Sequence, residues 1–167
     1  REWGGGVPFG RPAEYARDDS PTSEAIFHAL DSLKAQGETY DFIAELEPTS
    51  PLRKPGDIDD AIATFLAVDC DSLVTVGEVH MEHPTVVKRI EGDFVKPYIP
   101  RTTLAYQRQQ LDRAYFPYGV IYIATVEFYR RARSFYGERT AFHFIERWQN
   151  YEVDDEDDLA VCEAMMR

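Results

Sequence analysis

Thiols are scarce in this chain. Cys70 and Cys162 are its two cysteines, they lie far apart, and no C-x-x-C pair exists, so neither a zinc site nor a disulfide framework can be read from them. Each is expected as a buried free thiol. No apolar run approaches the roughly 20 residues of a membrane span, and no charged segment followed by a hydrophobic stretch opens the chain as a secretory leader would. The expectation is a cytoplasmic protein that does not enter membranes. Positive charge is also short: 18 Lys and Arg against 30 Asp and Glu give a formal net charge of -12. That balance disfavours gripping a nucleic-acid backbone or an anionic membrane, and an anionic ligand would need basic residues gathered locally. What is present is 167 residues, 44% hydrophobic and 13% aromatic, enough to bury the core of one domain. The chain opens at Arg1 with "REWGGGVPFGRP" and no element before it, as if it began in mid-domain.

The glycines of that opening do not make a phosphate loop. Pro8 and Pro12 follow them where a helix would have to begin, so a turn and a short extended segment are expected. Ser20 as cap and Pro21 at the first helical position then start a helix that buries Ala25, Ile26, Ala29, Leu30 and Leu33 and ends near Gly37. "YDFIAELE" reads as a strand, and prolines 48, 51 and 55 keep "PTSPLRKPGD" a loop. A second helix from Asp57 turns Ile58, Ala61, Ile62, Phe65 and Leu66 inward, and "SLVTVGE" is the next strand. This alternation is the rhythm of an α/β fold with a doubly wound, mostly parallel sheet. Residues 84–115 break it: "TVVKRIEGDFVKPYI" reads as two short strands about "EGD", too polar for a buried parallel sheet and suited to a lid or dimerisation element. "GVIYIATVEFYRRAR" resumes the core as a strand running into a helix. "TAFHFIERW" supplies a last strand, and a final helix from Asp155 to Met166 turns Leu159, Cys162 and Met166 to one face.

Two stretches concentrate chemistry. In open α/β sheets the loops beyond the carboxyl ends of strands form the ligand crevice. "EPTSPLR" is such a loop, with Glu47 at the strand end, the hydroxyls of Thr49 and Ser50, and Arg53 as a cationic fork for carboxylate or phosphate. The same residues would serve a plain proline-rich crossover. The other stretch is "YEVDDEDD", where six of the seven side chains from Glu152 to Asp158 are carboxylates. In extended backbone Glu152 and Asp154 share a face, which suits a Mg²⁺ ion that takes one or two carboxylates and fills its other positions with water and phosphate oxygens. Asp155, Glu156, Asp157 and Asp158 suit the first turn of a helix, where negative charge complements the dipole. "QRQQL" adds Arg108 and Arg113 among glutamines, either a carboxylate-binding cluster or a solvated linker. His28, His80, His83 and His143 show no metal-ligand spacing.

With these segments in order, the chain resembles the acylneuraminate cytidylyltransferases, the CMP-sialic acid synthetases and their relatives for bacterial nonulosonic acids. The resemblance runs over "RPAEYARDDSPTSEAIFHAL", "ELEPTSPLR", "RQQLDRAYFPYGVIYI" and "YEVDDEDDLAVCEAMM". It implies a single Rossmann-like nucleotidyltransferase domain over residues 1–167, N-terminally incomplete, with a protruding hairpin. It further implies transfer of a cytidylyl group from CTP to a sugar acid, with pyrophosphate leaving and Mg²⁺ or Mn²⁺ as the metal. By resemblance Asp154 is a metal-ligand aspartate and Glu152 its partner. Arg108 meets the sugar acid together with Gln109, and Glu47, Thr49, Ser50, Arg53, Tyr118 and Tyr122 line the substrate site. The family's hairpin implies a homodimer in which Arg108 serves the neighbouring protomer.

Several positions depart from the family pattern. Glu47 stands where the family usually has Gln, Tyr118 where it has Asn, Phe116 where some members have Arg, and Glu152 where Asp is usual. A carboxylate only accepts hydrogen bonds where an amide does both, so Glu47 changes which substituents are tolerated and points to a legionaminic- or pseudaminic-like acid. The family's Gly/Ser-rich triphosphate loop and Ser-Thr-Asp strand would precede Arg1. Three other readings compete: a non-catalytic sugar-acid-binding or dimerising remnant, a Kdo-type cytidylyltransferase, and a structural α/β domain with a solubilising acidic run.

Overall fold

The computed structural model describes residues 6, 9–17, 19–79, 83–100 and 111–167. Helix α1 (Thr22–Ala35) begins one residue after Pro21, which is its extended cap. Ser20 is not the cap, because its hydroxyl donates to the Glu14 carbonyl at 2.8 Å and so closes the turn before the helix. Gly37, at φ 88°, ends α1 in the left-handed conformation that glycine adopts without a Cβ clash. Strand β1 (Phe42–Glu45), helix α2 (Asp57–Ala67) and strand β2 (Ser72–Glu78) follow as the hydrophobic pattern predicts, except that Leu66, expected to face inward, is exposed. Strands β3 (Lys88–Glu91) and β4 (Phe94–Pro97) pair antiparallel with each other, and all their residues are exposed. Strand β5 (Tyr115–Thr125) runs straight into helix α3 (Val126–Ala132), whose cap Thr125 accepts the Phe128 amide. Strand β6 (Thr140–Phe144), a 3-10 turn (Arg147–Asn150) and helix α4 (Glu156–Met165) complete the chain.

The main sheet has the order β1-β5-β2-β6. β5 pairs antiparallel with both β1 and β2, while β2 and β6 are parallel. Three strands therefore share one direction, but the pairing is mixed rather than mostly parallel. The cause lies in the connections. The α2 crossover keeps β1 and β2 co-directional, as a helical return requires. The β3–β4 excursion brings the chain back the other way, and β5 enters between them.

Neighbouring residues along a strand face opposite sides of the sheet. Leu73, Ile121 and Ile123 pack with Ala61 and Phe65 of α2 on one side. Val74 and Ala124 pack with Phe128, Tyr129 and Phe135 and with Ile26 and Phe27 of α1 on the other. Helices thus cover both faces, the layering expected of a Rossmann-like domain. The expected face of α4 is only partly used: Cys162 is buried, whereas Leu159 is 47% and Met166 67% exposed. Cys70 is half-buried rather than buried.

A register shift between Val74 and Val76 bends the β2–β5 pair. Thr75, fully buried there, donates to the Tyr118 carbonyl at 2.7 Å and accepts the Ile121 amide at 3.1 Å. Such a bulge re-aims the strand beside it. Here that segment carries Tyr118 and Gly119.

Candidate functional site

The bend in β5, the loop after β1 and the segment before α4 converge on Gly119. The Glu47 carboxylate lies flat against this glycine: a Cβ built on Gly119 would fall 1.9 Å from Glu47 Oε2 and 3.1 Å from Glu152 Oε1. Only glycine lets both acids come this close. Glu152 Oε1 accepts the Gly119 amide at 3.1 Å and the hydroxyl of fully buried Ser50 at 3.3 Å. Thr49 is exposed and contributes its carbonyl, which accepts the Val153 amide at 2.8 Å.

Burial pushes the Glu47 carboxyl above the usual Glu range, the nearby Glu152 charge adds to this, and the Arg53 guanidinium partly offsets it. A second carboxylate close by in a half-buried place makes a carboxyl hold its proton more tightly in this way. The Tyr122 phenol is pushed up strongly, first by burial, then by Tyr136 and the charge of Glu47. It therefore stays protonated and remains a hydrogen-bond donor at neutral pH. Tyr136, whose ring meets that of Tyr122 edge-on at 6.4 Å, is pushed up by burial and by Glu47, while its hydrogen bond with Tyr122 acts the other way. The floor of the site is thus two carboxylates faced by two phenols.

Arg53 is half-buried and its fork is already engaged, with Nη1 donating to the Val120 carbonyl and Nη2 to the Glu47 carbonyl, each at 3.0 Å. It braces the loop against β5 and supplies positive charge behind Glu47. Tyr118 packs elsewhere: its ring lies across Gly77 and meets Phe116 at 5.0 Å. Arg108, Gln109 and His80 lie outside the described residues.

The acidic run divides as its sequence suggests. Asp155 is the cap of α4, accepting the amides of Asp157 at 2.9 Å and Asp158 at 3.0 Å. Asp154 is exposed, and its amide donates to Asp158 Oδ2 at 3.1 Å. No group of three or more His, Cys, Asp or Glu side chains placed to hold a metal occurs among the described residues. The available donors are nevertheless hard oxygens of the kind Mg²⁺ or Mn²⁺ takes, and Glu47 and Glu152 face each other with negative charge that Arg53 only partly offsets. The chemistry of the donor set fits such an ion.

Tyr136 and Gln149 were not singled out from the sequence. Tyr136 sits in the turn after α3 and carries no pattern that marks it. Gln149 looks like one polar residue of a connection, yet it is fully buried. The three described histidines make structural contacts: His83 bridges Thr85 and the Asp112 carbonyl, His143 meets Thr64, and His28 meets the Gly10 carbonyl.

Comparison with known proteins gives a consistent set of relatives. The chain is 30% identical over 149 residues to an N-acylneuraminate cytidylyltransferase of Streptococcus agalactiae serotype V, covering 89% of this chain and 35% of that protein. It is 28% identical over 168 residues to the CMP-N,N'-diacetyllegionaminic acid synthase of Legionella pneumophila, covering 99% of this chain and 71% of that protein. It is 26% identical over 179 residues to post-translational flagellin modification protein B of Campylobacter coli, covering 99% and 70%. The chain thus spans about a third of the length of the streptococcal relative, at 35%. No protein-family model matches it.

Proposed function

Taking as premise that the chain belongs to the acylneuraminate cytidylyltransferase family, as relatives at 26–30% identity over most of its length show, we propose that it carries the sugar-acid and metal side of a cytidylyltransferase reaction centre. The reaction is attack by the anomeric hydroxyl of a nonulosonic acid on the α-phosphorus of CTP, with release of pyrophosphate. The observation that carries the reading is the convergence of Glu47, Ser50, Gly119 and Glu152, from three separate segments, on one point.

In this reading Glu152 and Asp154 hold Mg²⁺ or Mn²⁺. Bound there, the ion would neutralise charge on the phosphates and orient them. Ser50 and the Gly119 amide fix the orientation of the Glu152 carboxylate. Glu47, Tyr122 and Tyr136 face the sugar acid, with the phenols donating and the carboxylate accepting. The substrate's own carboxylate cannot rest on this acidic floor and is left to Arg108 and Gln109. The exposed side chains of Ile90, Phe94 and Val95 on the β3–β4 ribbon support the homodimer that the resemblance implies.

The test is pyrophosphate release by the full-length protein. It should require CTP, a divalent metal and a nonulosonic acid together, and Asp154→Ala should abolish it. Release that survives Asp154→Ala would remove the metal assignment. Sugar-acid binding without CTP binding by calorimetry would favour the non-catalytic remnant.

A further inference from the structure

Behind the site lies a buried polar link that none of the roles above uses. The Gln149 side chain is fully buried and bonded at both ends. Its Nε2 donates to Asp57 Oδ2 and to the Leu52 carbonyl at 3.3 Å, and its Oε1 accepts the Glu146 amide at 2.9 Å. Asp57 Oδ2 also accepts the Lys54 amide at 2.7 Å. The groups held by Gln149 and Asp57, the Leu52 carbonyl and the Lys54 amide, lie immediately before and after Arg53. Outside the same pair of segments, Lys54 Nζ reaches Glu146 Oε1 at 2.7 Å.

We infer that Gln149 is a positioning residue, whose buried bonds to Asp57 and Leu52 set the distance between the Arg53 loop and the Glu152 carboxylate. The two segments that carry Glu47, Ser50, Arg53 and Glu152 are not neighbouring strands, so no sheet ladder fixes their spacing. Besides the outer Lys54–Glu146 pair, two joints among the described residues bear on the site. One is the near end, where Val153 meets Thr49 and Glu152 meets Ser50. The other is Gln149, three residues before Glu152 and in the same chain segment. A glutamine suits this post because its amide donates to a carboxylate and a carbonyl while its oxygen accepts an amide; no carboxylate or aliphatic side chain can do both. Buried networks of this kind hold geometry tightly when every member is satisfied.

The inference rests on the cytidylyltransferase reading for its kinetic consequence, but not for its structural one. In the full-length protein, Gln149→Leu should lower kcat/KM for the sugar acid by about 10²-fold, the cost of a small misplacement at a reacting centre, while KM for CTP changes little. Gln149→Glu should be as damaging, because it faces Asp57 with a second carboxylate. A merely stabilising glutamine would shift the melting temperature of both variants and leave the kinetic split absent; that result overturns the inference. If the wild-type protein releases no pyrophosphate with any sugar acid, the functional reading fails and hydrogen exchange decides the positioning claim. Gln149→Leu should then speed exchange of the Gly119 and Val153 amides at the far end of the link, and unchanged protection there refutes it. Should Gln149→Leu fail to fold, Gln149→Met, which keeps the length of the side chain without its hydrogen bonds, gives the same readouts.

Discussion

Gly119→Ala separates the chemistry of the site from its stability. The added methyl would lie 1.9 Å from Glu47 Oε2 and 2.6 Å from Glu47 Cδ, so the carboxylate cannot stay where it is. The obstacle is the end of a half-buried glutamate on a loop, which can swing outward. Burial of that carboxylate is unfavourable in the first place, and it holds the Glu47 carboxyl above the usual Glu range. Replacing a strand glycine also removes about 0.5–1 kcal/mol of unfolded-chain entropy that glycine would otherwise lose on folding. Against this stands strain on the Gly119 amide bond to Glu152, a charge-assisted contact of about 1.5–3 kcal/mol if it is lost entirely. The net change in stability is expected to be a loss of no more than about 2 kcal/mol. The protein should remain folded. Sugar-acid affinity, measured by titration calorimetry, and pyrophosphate release should fall by about 10²-fold, because Glu47 is displaced from the floor of the site. A variant that binds and turns over like the wild type, with Glu47 displaced, would refute the placement of the substrate on Gly119.

Three further outcomes follow from the same geometry. Gly77→Ala puts a methyl 2.9 Å from the packed Tyr118 ring, and Gly137→Ala puts one 2.7 Å from the buried Phe128 ring; each should cost about 1–3 kcal/mol in urea unfolding, unlike Gly119→Ala, because a core ring cannot swing away. Asp155→Ala removes the cap of α4 and should cost about 1 kcal/mol with activity retained, whereas exposed Asp154→Ala should change stability by no more than about 0.5 kcal/mol and abolish activity. Glu47→Gln should be more stable than wild type at neutral pH. The native Glu47 carboxyl binds its proton more tightly than the unfolded one, so its favourable contribution is complete below the ordinary Glu range and is lost as pH rises through the raised native value. The gain from Glu47→Gln should be under about 1 kcal/mol for so solvated a group and should vanish in acid; a gain that persists in acid contradicts this.

Much of the domain was legible in the sequence because its helices and strands keep their hydrophobic periods. The strand "SLVTVGE" coincides with β2, and the second helix begins at Asp57 as its acidic first turn suggests. The helix start within the acidic run was legible too, since carboxylates in a first turn ahead of an apolar helical spacing are a local signal. Strand direction was not, because nothing local in "FPYGVIYIAT" distinguishes a strand returning from an excursion from one following a helix. The bulge at Thr75 and the pairing of Glu47 with Glu152 across Gly119 depend on contacts between distant segments. Arg53 shows the same limit: its sequence context offers a free cationic fork, while the fold engages that fork with two backbone carbonyls.

The placement of β5 between β1 and β2 also orders the assembly of the molecule in time. β1 ends at Glu45, but its hydrogen-bonded neighbour begins only at Tyr115. A nascent chain that has completed β1, α2 and β2 holds two strands that cannot zip together, and both wait for a segment made much later. Long-range pairing of this kind pays its loop-closure entropy before any contact rewards it, which slows folding. Insertion of β5 then completes both hydrophobic clusters, and it brings Gly119 to Glu47 in the same motion. Glu152 follows β6 in the sequence, so the site is finished only once β6 and the segment before α4 are in place.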